Sequence, residues 1–419
     1  MNSPSIGMLY CYFGKLPWYF DLFVHSCKYN STVNFLVYTD QSYAEQLPSN
    51  VIVKKLTAEQ FKQQAAVKLG FDINLDYSYK LCDLKPAYGL IFEDDIARYD
   101  YWGLGDIDII FGNLRNFLND LSSVDVFCVR FEYVTGYFSL FRNIKTITRL
   151  FEKSSDYRKV FQSPEHYCFD ECNFQFTPLG AGIHIKETSA EVESMTHVII
   201  QESQSGNLRA HFDMHAVEGT PGDLKFIEGT LSYKNTFEVM LYHLIAFKKH
   251  PLLIKPKWNQ VPDEYAIEKH FMVRENSLKH VATFILTARV VFKRISNTVK
   301  FLLNILQLFN PHPASTLKYT NYQSGSILAK LSFKQKKIII DFTDTALTQI
   351  QLNQIPTFET PNRFTQLVLT PIGKNRFVSI NKRAIVSFSY DSERKTDALE
   401  ISVLNRESLK FFPKLKITP

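Results

Sequence analysis

Long uncharged apolar runs, cysteines in a paired framework and a basic leader are all missing from this 419-residue sequence. The longest periodic apolar segment, Lys279 to Phe309, carries Arg289, Lys293, Arg294 and Lys300, too many charges for a membrane span. The six cysteines, Cys11, Cys27, Cys82, Cys128, Cys168 and Cys172, all fall in the first half. Cys168-x-x-x-Cys172 is not a zinc-knuckle spacing, so buried thiols in a reducing compartment are expected. Met1 to Ser5 lack the basic start of a signal peptide, and Gly14, Lys15 and Pro17 interrupt the apolar residues that follow. A cytoplasmic chain is therefore expected. Internal repeats and low-complexity tracts do not stand out, and the composition is not that of a disordered chain.

What is present is an ordinary globular mixture, 45% hydrophobic and 21% charged. The length exceeds what one core usually serves and suggests two or three domains. A net charge of +6 is modest; it favours an anionic partner such as a nucleotide diphosphate or a phospholipid surface, and no nucleic acid is expected. The 35 Phe and 21 Tyr suit sugar stacking, although most of them are expected in the core.

The N-terminal half alternates short apolar strands with helical patterns, as α/β domains do. Ile6 to Phe13 reads as a strand, Trp18 to Tyr29 as a helix, and Val33 to Thr39 as a second strand ending at Asp40. Leu56 to Leu69 and Tyr79 to Phe92 follow as helices, the latter carrying Asp83 and Lys85. Val124 to Arg130 and Tyr137 to Leu140 look like further strands. Ligands in open α/β sheets bind beyond the carboxyl ends of the strands, where Gly14-Lys15 and Thr39-Asp40 would sit. From Asp263 the character changes. Lys279 to Phe309 reads as a basic amphipathic helix that either packs its apolar face on the protein or lies on an anionic membrane. Beyond Pro311 and Pro313, short β-rich runs from Ile338 to Leu404 suggest a small all-β domain. The expected division is 1–255, 256–312 and 313–419.

The richest stretch is YWGLGDIDIIFG, Tyr101 to Gly112, which sets two carboxylates two residues apart in an apolar run. In an extended chain Asp106 and Asp108 point to one face and can converge on a hard cation. The bland alternative is a pair of solvated acids in a turn. Burying aspartates in such a run is costly unless a cation or donors compensate them.

Spacing sorts the chemistries that use such a pair. A haloacid-dehalogenase phosphatase needs it at the end of the first strand, which here lies near Gly14. A polymerase-β-like nucleotidyltransferase carries an apolar-flanked pair like this one but needs a Gly-Ser turn upstream, which Glu93 to Asp100 does not offer, so that family stays a remote alternative. Taken in order, YCYFGKLPWYFDLFVHSC, VNFLVYTD, KLCDLKPAYGLIF, YWGLGDIDIIFGNL, GYFSLFRN, FDE and YHLIAFKK resemble bacterial glycosyltransferases of the GT-A fold, in particular a poorly characterised family from capsule and O-antigen gene clusters. The resemblance covers about residues 6–255. It implies a Rossmann-like mixed sheet in a nucleotide-sugar domain, followed here by the helical segment and the β-rich domain.

The resemblance also implies roles. A divalent cation, manganese or magnesium, would bridge the two phosphates of a nucleotide-sugar donor, held by Asp108, Asp106 and a late histidine, His243. Lys248 and Lys249 would meet the diphosphate, and Asp40, Asp83 and Lys85 would serve the nucleotide. An i, i+2 pair does not share a helix face, so one of Asp83 and Lys85 can be structural. Asp170 and Glu171 would face the acceptor, a glycan or lipid-linked glycan. Adjacent strand residues face opposite ways, so Glu171 is expected as the base of an inverting transfer, with Asp170 binding substrate hydroxyls. Arg142 and Asn143 would lie near the acceptor. The competing class is a non-catalytic glycan-binding or assembly module that retains the fold.

Overall fold

The computed structural model describes residues 3–307 other than residue 44, with side chains to residue 298, and beyond them eight strands between residues 316 and 417. The chain divides into two compact units, Met1–Val290 and Val291–Pro419.

The first unit is built on β1 (Ile6–Tyr12), β2 (Val33–Thr39), β3 (Val51–Lys55) and β4 (Tyr101–Gly105), which run parallel in the order β3-β2-β1-β4. Beyond them lie β5 (Ile109–Phe111), β6 (Val126–Cys128), β7 (Phe138–Arg142) and β8 (Ala210–Phe212). β7 joins β4 antiparallel, and β6 and β8 extend that sheet to seven strands. Its strands read as near-continuous apolar runs because both faces are covered. Alternate residues of β1 go to different layers: Leu9 packs with Leu36, Phe61 and Trp102, whereas Met8 and Tyr10 pack with Phe23, Phe35 and Phe138. α1 (Phe20–Lys28) covers the second face. α2 (Ala58–Leu69) covers the first; a Thr57–Gln60 capping box starts it and Gly70, at φ 78°, ends it.

The helix expected over Tyr79 to Phe92 forms instead as four short turns, Ser78–Lys80, Leu81–Leu84, Lys85–Ala87 and Tyr88–Ile91. Lys85 keeps a helical conformation before Pro86, at φ −52° and ψ −40°, so the chain stays in successive helical turns. Asp83 and Lys85, two residues apart, therefore face different sides.

A second layer comprises β9 (Ala216–Val217), β10 (Leu224–Ile227), β11 (Thr230–Tyr233), β12 (Phe237–Glu238), β13 (Leu241–His243), β14 (Glu264–Ile267) and β15 (Met272–Arg274). β5, β13 and β9 form one small sheet, and β12-β11-β10-β14-β15 another. Because β14 pairs with β10, the segment after residue 255 belongs to the first unit rather than to a linker. The helix Lys279–Gln307 starts there, with Ala282, Leu286 and Val290 packed on Leu252, Ala266, Phe271 and Val273. The same helix leaves Phe284 75% and Phe292 72% exposed. Among the described residues, no helix is long and apolar enough to cross a membrane.

The second unit carries an eight-stranded antiparallel sheet in which every strand pairs with its neighbours in sequence, from Thr316–Thr320 to Leu415–Ile417. The β-rich runs expected from Ile338 to Leu404 fall within it.

Candidate metal centre

β4 ends at Gly105, and the chain then leaves the seven-stranded sheet. Asp106 N–H donates to Tyr137 O at 3.1 Å, the last link to β7. Three residues later the chain enters β5, which pairs antiparallel with β13 so that His243 lies opposite Ile109. Leu244 N–H donates to Asp108 O at 2.8 Å. The acid pair is thus the connection between two sheets, and the register of the second brings in a histidine from far along the chain.

The three side chains converge. Ligand atoms of Asp106, Asp108 and His243 lie within 4.8 Å of one another. The Asp108 side chain is only 5% exposed and stands 3.4 Å from His243 Nε2, a buried nitrogen with no hydrogen-bond partner. On the other side of the ring, Nδ1 pairs with Glu218 Oε1 at 3.0 Å, and Arg130 Nη1 holds Glu218 Oε2 at 2.8 Å. A carboxylate behind the imidazole fixes its orientation and leaves Nε2 facing the acid pair, an arrangement that suits a metal-binding histidine. Two carboxylates and one imidazole are a donor set for manganese or magnesium.

Two ammonium groups occupy the same ground. Lys85 Nζ donates to Asp106 Oδ1 at 2.6 Å and to Gly136 O at 2.8 Å, and Lys248 Nζ donates to Asp108 Oδ2 at 2.5 Å. Burial pushes the Asp108 carboxyl up, but His243 and Lys248 outweigh it and hold the group well below the carboxylate range. Burial lowers His243, and the surrounding acids, Asp108 and Glu218 foremost, overcome it, raising the imidazole to about 9. Lys85 is likewise pulled down by burial and raised further by Asp106 and Asp170. These cations compensate the buried acids and also suit a diphosphate. They line a pocket of about 290 Å³ whose walls include Tyr12, Phe13, Tyr19 and Tyr79.

The other residues singled out in the sequence are placed as follows. Asp83 does not reach the pocket: its fully buried carboxylate pairs with Lys80 at 2.8 Å and His166 at 3.1 Å, and accepts the N–H groups of Tyr167 and Phe169. Of the Asp83–Lys85 pair, Lys85 meets the site and Asp83 braces the loop leading to Asp170. Asp40 sits beyond the ends of β1 and β2, accepting the Gly14 N–H at 2.8 Å and outside the pocket lining. Lys249 is exposed. Arg142 bonds Asp125, and Asn143 bonds the carbonyls of Ile96 and Tyr99. Because β7 is antiparallel to β4, Arg142 lies opposite Tyr101, at the end of the strand away from Asp106.

Asp170 and Glu171 lie in a turn, not on a strand, so the alternation argument that separated them does not apply. Cys168, at φ 52°, begins that turn in the left-handed region. Both carboxyls gather around Gly136: its N–H donates to Glu171 Oε1 at 2.8 Å, and a Cβ there would stand 2.1 Å from Asp170 Oδ2. Asp170 is buried behind Lys85, 3.7 Å from its Nζ, and Glu171 is partly exposed; neither lines the pocket. Burial raises both carboxyls. A carboxyl raised in the fold stabilises it below the ordinary value of 3.8 and loses that contribution as pH rises through the raised value. Asp170→Asn should therefore gain stability relative to the wild type as pH rises above 3.8, read by thermal unfolding; a stability difference that does not change with pH would contradict the raised carboxyl.

Glu218, Arg130, Gly136 and Lys80 were not found in the sequence. No local pattern marks them, since each acts across a contact that only the assembled sheets create.

A family model described as "Family of unknown function (DUF6625)" matches residues 8–279. No curated protein matches the sequence. Among solved structures, the apo form of mouse xyloside xylosyltransferase 1 is similar over 57% of this chain and 96% of that chain, at 8% identity and a TM-score of 0.30.

Proposed function

Because the chain belongs to the DUF6625 family, whose function is unknown, its activity has to be read from its own site, and we propose that it is a metal-dependent glycosyltransferase using a nucleotide-diphosphate sugar. The observation that carries this reading is the buried, unpartnered Nε2 of His243 facing the Asp106–Asp108 pair beside an aromatic pocket with two lysines. Asp106, Asp108 and His243 would hold manganese or magnesium, which when bound supplies Lewis-acid stabilisation of a leaving diphosphate. Lys85 and Lys248 bind the phosphate oxygens, and Tyr12, Phe13, Tyr19 and Tyr79 offer faces for the base and the sugar. Glu171, partly exposed and with a raised carboxyl, takes the acceptor hydroxyl's proton in an inverting transfer. Asp170 positions Lys85 from behind rather than touching substrate.

The acceptor in this reading is a surface glycan of the capsule or O-antigen kind, free or lipid-linked. Hydrolysis of a panel of nucleotide sugars with and without manganese tests the reaction. Metal-dependent release of nucleotide diphosphate supports it; donor binding without turnover, with donor and acceptor glycans both supplied, would instead favour a binding module.

The exposed Phe284 and Phe292, with Arg289, Lys293 and Arg294 on the same helix, fit peripheral attachment to an anionic membrane. The full chain is then expected to float with vesicles rich in anionic lipid and not with neutral ones. Phe284→Asp with Phe292→Asp should remove most of that binding, and equal flotation of this variant would refute the attachment.

A further inference from the structure

Among the described residues a second group of ligand-bearing side chains converges, His211, Asp213 and His215, and the transfer reaction makes no use of it. His211 lies on β8, and Asp213 and His215 follow it in irregular chain before β9. In regular extended chain the α-carbons of His211 and His215 would be about 13 Å apart. Here the ladder with β6 slips: Asp213 N–H donates to Cys128 O and His215 N–H to Val129 O, two residues advancing against one. That bulge accompanies a close approach of the two imidazoles, whose centroids are 5.8 Å apart and whose planes are 9° from parallel.

The rings are held in place. Phe127 stacks on His211 at 4.8 Å and on His215 at 5.6 Å, and Phe117 meets His215 edge-on at 5.3 Å. His215 Nε2 is buried without a hydrogen-bond partner and lies 3.7 Å from Asp213 Oδ2. Ligand atoms of all three residues lie within 4.8 Å of one another. Around a tetrahedral ion with bonds of about 2.0–2.1 Å such atoms are about 3.4 Å apart, so side-chain shifts on the order of 1 Å would close the set.

We propose that His211, Asp213 and His215 form a second divalent-cation site, selective for a borderline ion of the zinc class. Two imidazoles and one carboxylate are softer than the two carboxylates and one imidazole at Asp108, so the two sites prefer different ions. Three protein ligands leave a fourth position open toward a pocket of about 550 Å³, where Asn116, Asn119, Asp120 and Ser123 can hydrogen-bond a bound water. The same chain continues through β9 to Glu218, which orients His243, so the two sites share one continuous segment.

Chelator-treated full-length protein, titrated with Co²⁺ by visible absorption and with Zn²⁺ by calorimetry, tests the proposal. The wild type should give a Co²⁺ spectrum with nitrogen ligation that survives Asp108→Asn. His211→Gln should abolish that spectrum and weaken Zn²⁺ binding by about a hundredfold or more, leaving manganese binding at the other site intact. Asp213→Asn changes a side chain that is 41% exposed and keeps its shape, so it repeats the test even if a histidine variant folds poorly. A wild type without the spectrum, or a Co²⁺ spectrum and Zn²⁺ affinity unchanged in both His211→Gln and Asp213→Asn, overturns the site.

Discussion

Asp108→Asn is expected to abolish metal-dependent release of nucleotide diphosphate, by roughly a thousandfold or about 4 kcal/mol of transition-state stabilisation. The substitution keeps the shape of the side chain and removes one anionic donor from the set Asp106, Asp108 and His243. It also frees Lys248, whose Nζ stands 2.5 Å from the carboxylate, and removes one of the three acids that raise His243 to about 9. The imidazole in the variant should therefore lose its proton at lower pH. A loss of turnover could also come from misfolding, and thermal unfolding with added manganese separates the two. Wild type at about a hundred times Kd should gain about 2.7 kcal/mol from the ion, and the variant should gain almost none while unfolding cooperatively. Manganese stabilisation and turnover both unchanged in Asp108→Asn would sink the metal assignment. Unchanged metal binding with lost turnover would move Asp108 from metal ligand to another role.

The second large effect is expected far from the pocket. Asp83→Ala should destabilise the first unit by about 3–5 kcal/mol and lower its midpoint by roughly 10 °C, because it strands a fully buried ammonium. Lys80 Nζ donates to Asp83 and to the carbonyls of Val160 and Glu165, and both charged side chains are completely buried. Lys80→Met should cost less, since Asp83 keeps His166 and the N–H groups of Tyr167 and Phe169. Combining Lys80→Met with Asp83→Leu should recover part of the loss, because no unpaired charge remains. Denaturant unfolding of the three variants reads the order, and an Asp83→Ala cost below about 1 kcal/mol would show that the pair is not the brace inferred here. The same brace holds the segment that ends in Asp170 and Glu171, so the surviving folded fraction of Asp83→Ala should bind manganese normally but turn over slowly.

Much of the first unit was legible because its signals are local. β2 was readable over its full length as an apolar run, and α2 by its period, which Gly70 ends. β3 was missed; its sequence, VIVKK, is short and ends in charge. The Tyr79 to Phe92 segment keeps a helical period whose i, i+2 spacing sets Asp83 and Lys85 on different faces, and packing decides which of the two meets the pocket. The site was half legible. Asp106 and Asp108 are marked by their spacing in an apolar run and converge across the bend that joins β4 to β5, whereas Glu218 and Arg130 belong to the site only through contacts made by β9 and β13.

The sequence by itself determined what depends on near neighbours: an α/β first half, an acid pair in an apolar run, a basic amphipathic helix and a β-rich end. Tertiary structure alone decided what depends on register. Pairing of β5 with β13 sets His243 beside Asp108, and pairing of β10 with β14 carries the first unit to Val290. The turn after Cys168 turns two adjacent acids toward one glycine instead of to opposite faces. Local propensity cannot contain such outcomes, because the free energy that selects them comes from burying charges and apolar faces against partners distant in the chain.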